Sequence, residues 1–285
     1  MMPTFDHPIR TLIATRRSIR TYGESPLSPD DQAFLESLLP KTTNPFGARV
    51  SFHLLPGTRD LEGRTYGTYG IIQGARGYIA ALVEDSPRAL LGLGYAMEHL
   101  ILSLWDQGIG TCWMAGTFRR GQFAAALARE EGMLFPVVTP YGYPKERPSL
   151  GDRLLRFAAQ GDKRKAWEEL FFLETPAHPL TREEAGPLGN ALEMVRLGPS
   201  ASNKQPWRIL LQDNLLHFYE AHTPGYGQAF PYDVQGLDLG IGAYHLEWTL
   251  AEEGIQGEWV DQDPSLLDLP GNWSYVFSFV LFPLS

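Results

Sequence analysis

The sequence predicts an α+β protein made of two related halves, and three features of the chain lead to this prediction. Residues 91–113 and 237–259 align without a gap at an offset of 146, with 9 of 23 positions identical. A second pair of segments, beginning at Pro26 and Pro179, aligns at an offset of 153. Alternating apolar residues at 275–282 are typical of a closing buried strand. Two matched pairs in the same order favour an internal duplication over chance similarity.

Each half is predicted to contain a capped helix and a long helix that ends at a glycine. In the second pair of segments, Ser28 or Thr181 precedes an acidic residue three positions later, which is a variant of the capping box. In the first pair, Gly108 or Gly254 follows an apolar helical stretch and precedes a strand.

Strands are predicted after the capped helices, at residues 50–55 in the first half and 207–211 in the second. The join between the halves is expected near residues 161–179. We therefore divide the chain into a first half, residues 1–165, and a second half, residues 166–285, packed as one unit.

The bulk composition favours a soluble cytoplasmic protein. The chain has 285 residues, 44% of them hydrophobic, and a formal net charge of −9, which argues against a nucleic-acid partner. Its single cysteine, Cys112, excludes a disulfide framework. Neither a signal-peptide core nor an apolar run of membrane-spanning length is visible, so no membrane association is expected.

A basic segment follows a short predicted helix at the N-terminus. Residues 16–20 read RRSIR, and three guanidinium groups with one hydroxyl suit an anion, since guanidinium offers paired donors to phosphate. In an extended stretch Ser18 and Arg20 would share one face. The alternative, a solvated basic patch, is favoured by charge alone.

A polar loop is predicted between a helix and a strand of the second half. Residues 199–208 read PSASNKQPWR, which combines small hydroxyls, amides and a Pro-Trp pair. Such a loop can present many hydrogen-bonding groups to a polar cofactor. The alternative is an ordinary polar turn.

These two segments resemble the signature segments of the FMN-dependent nitroreductase family, and most of the chain, roughly residues 9–281, resembles its single-chain, duplicated branch. In that family both signatures lie near the N-terminus of one chain, and they meet around one FMN across a homodimer. Here they lie in different halves. The resemblance therefore implies two nitroreductase-like α/β halves fused as a pseudo-dimer around a shared core, in which a monomer can form one complete site.

The resemblance also implies the chemistry. It implies an oxidoreductase in which reduced nicotinamide, NADH or NADPH, passes hydride to flavin N5 and a small electron-poor acceptor, such as a nitroaromatic or a quinone, is then reduced in a ping-pong cycle. No catalytic side chain is assigned. The alternatives are a flavin-binding protein without turnover, an FMN enzyme of other chemistry, such as dehalogenation or flavin cannibalism, and a cofactor-free scaffold.

The cofactor-binding residues implied by the resemblance fall into four groups. Arg16, Ser18 and Arg164 or Lys165 would offset the FMN phosphate, and Arg20, with Arg17, would stabilise charge on the reduced ring. The remaining residues are main-chain neighbours of the ring, namely Ala115, Gly116 and Thr117, and the loop residues Pro199, Ser200, Ala201, Ser202 and Asn203.

The offset of 153 indicates that the chain holds only one complete set of these groups. It places Glu169, Leu170, Phe171 and Leu173 opposite Arg16, Arg17, Ser18 and Arg20, and residues 46–50 opposite 199–203. A second phosphate would then face apolar side chains. No metal site is expected, because His99 and His245 are interpreted as core or capping histidines and no HExxH or Rossmann motif occurs.

Overall fold

Two β-sheets with associated helices form the protein. The computed structural model describes residues 5–57, 66–127, 131–145, 163–226 and 230–283. The chain divides into two compact units. The first comprises Met1–His7 and Thr15–Gln160, and the second comprises Pro8–Ala14 and Gly161–Ser285. The fold is therefore mixed α/β, with one sheet in each unit.

The first unit contains a four-stranded antiparallel sheet in the order β1-β2-β4-β3. Its helices are α2 (Pro29–Leu38), α3 (Ala89–Asp106) and α4 (Arg120–Ala124), and its strands are β1 (Val50–Pro56), β2 (Gly77–Glu84), β3 (Gly110–Thr111) and β4 (Met133–Gly142). A short 3-10 turn, Leu39–Lys41, follows α2.

The core of the first unit lies against the central strand β2. Seven successive residues of β2 are buried, as is typical of a strand covered on both faces. On one of these faces Ile79 clusters with Leu100 and Leu104 of α3 and with Tyr141 of β4. Cys112, the only cysteine, is also buried in this unit, at 3% exposure.

The second unit contains a five-stranded sheet in the order β5-β6-β7-β9-β8. Its helices are α1 (Ile9–Thr15, of which residues 9–14 fall in this unit), α5 (Arg182–Ala185), α6 (Gly189–Leu197) and α7 (Gln235–Glu252), and its strands are β5 (Phe171–Leu173), β6 (Trp207–Gln212), β7 (Leu215–Ala221), β8 (Gly257–Val260) and β9 (Trp273–Leu281). Short 3-10 turns occur at Trp167–Glu169, Gly186–Leu188 and Ala201–Asn203.

Helix α1 is attached to the second unit although it precedes the whole first unit in sequence. The Ile9 N–H donates to Glu252 Oε1 at 2.6 Å, and the Arg10 guanidinium pairs with Glu252 and Glu253 at the end of α7. These carboxylates at the C-terminal end of α7 are unfavourable to its dipole unless a cation or donor compensates them, and α1 supplies both.

The two sheets share one topology. Strands β6-β7-β9-β8 follow the same spatial order as β1-β2-β4-β3. In the chain, the long helix α3 lies between β2 and β3, and the long helix α7 lies between β7 and β8. Each unit also places a tryptophan indole against a carboxylate of its long helix: Trp113 donates to Glu98, and Trp259 donates to Glu247. The tryptophans occupy matching positions of the sequence repeat.

The predicted helix starts and strands are confirmed. Ser28 caps α2 by accepting from the Asp31 N–H, and Thr181 forms a full capping box with Glu184. The predicted strands at 50–55, 207–211 and 275–282 correspond to β1, β6 and β9. Among the described residues, no helix combines the length and the apolar character that crossing a membrane requires.

Of the two repeat histidines, His245 is a core residue and His99 is half-buried, each within its own unit. His245 is buried and its Nδ1 lies 2.9 Å from the Met194 carbonyl oxygen. His99 is packed against Phe5, and burial lowers the pKa of its imidazole to about 4. A neutral imidazole at His99 agrees with the interpretation of this side chain as structural.

Candidate functional site

The RRSIR segment is extended and tied to the sheet of the first unit. The Ile19 N–H donates to the Thr111 carbonyl of β3 at 2.7 Å, and the Arg20 carbonyl accepts from the Gln73 N–H at 2.8 Å. Ile19 is buried, whereas its neighbours Ser18 and Arg20 are half-buried. The alternation expected for Ser18 and Arg20 is therefore present, with Ile19 as the residue that anchors the segment.

Glycine at position 110 allows this segment to approach β3 closely. A Cβ atom on Gly110 would lie 2.7 Å from Ile19 Cγ1 and 2.9 Å from Ile19 Cβ. Both distances are shorter than van der Waals contact permits, so any larger residue would displace Ile19 and the flanking Ser18 and Arg20. Gly110 thus sets the position of the basic segment.

Arg16 contains a buried cationic donor without a partner. Its Nη1 atom is inaccessible to solvent and makes no hydrogen bond to any described residue. An unsatisfied buried donor on a charged group is costly, because the group has lost its water without gaining an acceptor. An anionic oxygen at this point would supply the acceptor. Arg17, by contrast, is exposed and lies over the Trp105 ring at 5.8 Å.

The peptide at residues 115–117 is positioned by Arg120. The Arg120 guanidinium donates to the carbonyls of Phe135, Pro136 and Ala115, at 2.8, 3.1 and 3.1 Å. Gly116 and Thr117 follow directly and are exposed. A fixed Ala115 carbonyl next to an exposed glycine leaves the main chain of this segment accessible to a ligand.

In the second unit, the loop at residues 199–203 is held by side chains from its own flanks. The Ser200 hydroxyl accepts from the Gln205 N–H at 2.8 Å, and the Ala201 N–H donates to Asp238 Oδ1 of α7 at 2.9 Å. Pro199 precedes these contacts and is half-buried.

The backbone of this loop is strained. Ser202, Asn203 and Gln205 have φ values of 48°, 55° and 48°, which side chains other than glycine rarely adopt. Such residues cost on the order of 1–3 kcal/mol each and persist only where the surroundings enforce them. The Gln205 amide provides part of that enforcement, since it bonds both the backbone and the side-chain oxygen of Asn203. Strain of this kind is typical of ligand-binding loops.

Arg164 and Lys165 contact this loop within the second unit. Arg164 Nη1 lies 3.4 Å from Asn203 Oδ1, and its Nη2 donates to the Leu197 carbonyl at 2.9 Å. The Lys165 N–H donates to Gln205 Oε1 at 2.8 Å. The structure thus brings together the basic pair and the polar loop, which are separated by more than thirty residues in sequence.

Positive charge is concentrated beside the loop. Burial and the nearby cations Arg208 and Lys204 lower the pKa of the Lys165 ammonium to about 8, and Glu169 only partly opposes them. Burial also lowers the pKa of Arg208 to about 10. In a chain of net charge −9, four basic side chains near one polar loop concentrate positive charge in a way that would suit an anion.

The predicted site residues are divided between the two units. In the first unit the segment containing Arg16, Arg17, Ser18 and Arg20 is bonded to β3, and Ala115, Gly116 and Thr117 follow β3 in the chain; in the second unit Arg164 and Lys165 contact the loop formed by Pro199, Ser200, Ala201, Ser202 and Asn203. Sequence reasoning missed Gln205, Lys204, Arg208 and Arg120. The first three lie inside the PSASNKQPWR string, so their place in that string was an available signal.

The sequence counterpart of the RRSIR segment takes a different place in its own unit. Leu170 and Phe171 are fully buried, and Phe171 begins β5, which pairs in parallel with β6. The RRSIR segment instead bonds to β3, at the other end of the corresponding strand order. The two segments aligned by the offset of 153 therefore pair with different strands, because apolar side chains allow residues 171–173 to become a buried strand.

Comparison with known proteins identifies relatives by sequence family and by fold. A family model described as "Putative TM nitroreductase" matches residues 8–250. The crystal structure of a "putative nitroreductase" from Thermotoga maritima superposes with a TM-score of 0.61 at 21% identity, covering 99% of this chain and 98% of that one. A comparison with curated proteins finds no match.

Two further solved structures resemble about half of the chain. One is a nitroreductase family protein from Clostridium novyi, with a TM-score of 0.36, 19% identity and coverage of 48% of this chain and 84% of that one. The other is an FMN-dependent nitroreductase from Clostridium difficile, with a TM-score of 0.39, 16% identity and coverage of 51% and 94%. Scores this low indicate only partial similarity.

Proposed function

Because the chain belongs to the family described as "Putative TM nitroreductase", we propose that it is an FMN-dependent oxidoreductase that takes electrons from NADH or NADPH. Its acceptor would be a small electron-poor molecule of the nitroaromatic or quinone class. When bound, FMN supplies the redox chemistry by accepting hydride at N5 and passing it to the acceptor in a second step.

The cationic cluster around Asn203 carries this proposal. Arg164 contacts the Asn203 side chain, and burial together with the nearby cations Arg208 and Lys204 lowers the pKa of Lys165 beside the same loop. A dianionic phosphate compensates such a group of charges, whereas a neutral ligand would leave it unrelieved. The buried, unsatisfied Nη1 of Arg16 independently indicates an anionic ligand at the basic segment of the first unit.

Each group of residues would have a distinct task. Arg16, Ser18 and Arg164 or Lys165 would bind the phosphate. Arg20, with Arg17, would stabilise negative charge at the reduced ring by preorganised electrostatics. The main chain of residues 115–117 would approach the ring, and residues 199–203 would bond the ribityl chain and the ring. No side chain is assigned as a general acid or base.

We further propose that both sets of residues bind the same FMN, so that one chain suffices for one site. This part rests on the sequence pattern, in which RRSIR and PSASNKQPWR occur once each in different halves. The shared strand order of the two sheets supports a duplicated origin.

Flavin content and anaerobic reduction test the proposal. Purified protein reconstituted with FMN is expected to bind about one flavin per chain, and the flavin absorbance is expected to bleach on addition of NADPH or NADH and to recover on addition of a nitroaromatic or quinone. No binding at micromolar FMN, or two tightly bound flavins per chain, would contradict the proposal. Binding without bleaching by either nucleotide would instead favour a flavin-binding protein without turnover.

A further inference from the structure

Three potential metal-ligating side chains meet at the end of β7 in the second unit. Glu220 is the penultimate residue of β7, His222 follows that strand, and Asp233 precedes α7. One ligand atom from each lies within 4.8 Å of the corresponding atoms of the other two. None of the three belongs to the groups assigned above to FMN.

Glu220 contributes a buried oxygen that has no hydrogen-bond partner. The residue is 6% exposed, and its Oε1 atom accepts no hydrogen bond from any described residue. His222 Nδ1 lies only 2.9 Å from this oxygen, yet the two atoms lack hydrogen-bond geometry. The two atoms form an imidazole–carboxylate ion pair, and their separation is also the roughly 3 Å expected of two ligand atoms that bind one ion at about 2.0–2.2 Å.

The imidazole of His222 is oriented by a second contact. Its Nε2 atom shares a hydrogen bond of 2.8 Å with Ser274 Oγ of β9. Metal-binding histidines usually bond through their other ring nitrogen in this way, which fixes the ring and the tautomer. The contact leaves Nδ1 directed at Glu220.

The surrounding charge also favours a cation. Asp238 is buried near Glu220 and acts on it electrostatically, and its Oδ2 atom has no hydrogen-bond partner among the described residues. Together with Asp233 and Glu220 this places three carboxyl groups in one region. A bound cation would offset the mutual repulsion of these neighbouring carboxyl groups.

We propose that Glu220, His222 and Asp233 form a binding site for one divalent transition-metal ion of the Zn²⁺ type. One imidazole and two carboxylates suit zinc, whereas Mg²⁺ and Ca²⁺ prefer oxygen ligands throughout. His222 and Asp233 are exposed, so the ion has a path of entry and water can complete its coordination. The site is structural in character, since it joins β7 to the loop that precedes α7.

Metal titration of the full chain tests this inference. Isothermal titration of the untagged, EDTA-treated protein with Zn²⁺ is expected to show one site per chain of micromolar or tighter affinity, and Mg²⁺ is expected not to compete. His222→Ala and Asp233→Asn are expected to weaken Zn²⁺ binding by at least about tenfold. Both residues are exposed, so these variants should keep their fold, which thermal unfolding checks.

His178→Ala is the matched control, because this exposed histidine lies 3.7 Å from Glu184 in the same unit. It should bind Zn²⁺ as the wild type does. The inference is overturned if the wild type shows no saturable binding below about 1 mM, or if the His222 and Asp233 variants bind as tightly as the control. Neither outcome depends on whether the protein binds flavin.

Discussion

The Arg164 guanidinium lies 3.4 Å from the side-chain oxygen of Asn203, which is 39 residues later in the chain. The same guanidinium bonds the Leu197 carbonyl at the end of α6, so it is fixed on both sides of the polar loop. This contact links the late basic pair to a loop whose backbone is already strained at Asn203. Arg164 therefore has two roles to separate, as a support for the loop and as a charge for an anion.

Arg164→Met should weaken FMN binding by about 1.5–3 kcal/mol, roughly 10- to 150-fold, because a charge-assisted contact to phosphate is lost. Equilibrium titration of flavin fluorescence measures the effect. Arg182→Met is the control, since Arg182 pairs with Glu193 on the surface of the same unit. Equal affinities for the two variants would show that Arg164 acts only as a loop support.

Arg16→Ala is expected to weaken FMN binding by about 1–3 kcal/mol, since the buried Nη1 would lose its anionic acceptor. The free protein should gain stability or lose little, because an unsatisfied buried donor disappears with the side chain. Weaker FMN binding without a loss of stability in the free protein is the result expected of an arginine whose role is to bind the ligand. Arg49→Ala, which removes an exposed pair with Glu84, should change neither flavin affinity nor stability appreciably.

Arg20→Ala should lower the two-electron reduction potential of the bound flavin, because the positive charge that stabilises the reduced ring is removed. A loss of 1–3 kcal/mol corresponds to a fall of roughly 20–65 mV. Potentials are measured by equilibration with a reference dye, and Arg20→Lys should restore most of the difference. A potential unchanged in the alanine variant would exclude Arg20 from contact with the ring.

Lys165 should make FMN binding depend on pH. Its depressed pKa of about 8 means that the ammonium is charged below pH 8 and neutral above it, so affinity for the phosphate should fall as pH rises from 7 to 9.5. The fall should be about tenfold, the value of one charged contact. Lys165→Arg stays charged over the whole pH range, so its FMN affinity should remain high at every pH. Lys165→Met carries no charge, so its FMN affinity should be low at every pH. A wild-type profile that is flat over this range would contradict the assignment.

Gly110→Ala should destabilise the protein by about 1–3 kcal/mol and weaken FMN binding with it, since the added Cβ would collide with Ile19 and displace the RRSIR segment. Thermal unfolding and flavin titration measure the two effects. Gly121→Ala is the control, because nothing lies within 4 Å of the added atom and the position is helical. If Gly110→Ala kept wild-type affinity, the segment's distance from β3 would be irrelevant to binding.

Local features of the fold were predictable from the sequence. The side chains of Ser28 and Thr181 accept hydrogen bonds from backbone N–H groups three residues later. Their capping role can therefore be predicted from a short stretch of sequence. Strands β6 and β9 are predicted by short apolar patterns within the strands themselves, so no knowledge of their pairing partners is needed. The sequence repeat likewise anticipated that each half has a long glycine-ended helix.

Features that depend on distant partners were not predictable in this way. The membership of Pro8–Ala14 in the second unit depends on bonds to Glu252, more than 240 residues away. The pairing of β5 with β6 overrode an alignment that placed Phe171 opposite Ser18, because burial rather than sequence offset decides where an apolar segment pairs. Glu220, His222 and Asp233 lie close together in space, but Asp233 is distant from the other two in sequence. Their spacing matches no metal-binding motif.

The burial of Cys112 makes the protein suited to spectroscopic labelling. The chain has no other thiol, and Cys112 is 3% exposed with its Sγ directed at the Trp113 carbonyl, so maleimide reagents should leave the native protein unmodified. A cysteine introduced at Tyr69, 63% exposed in the first unit, or at Leu267, fully exposed in the second, would then be the only reactive position. Spin labels on cysteines at both positions would report the distance between the two units in solution, with and without flavin. Labelling of the natural cysteine would not interfere, because it is buried.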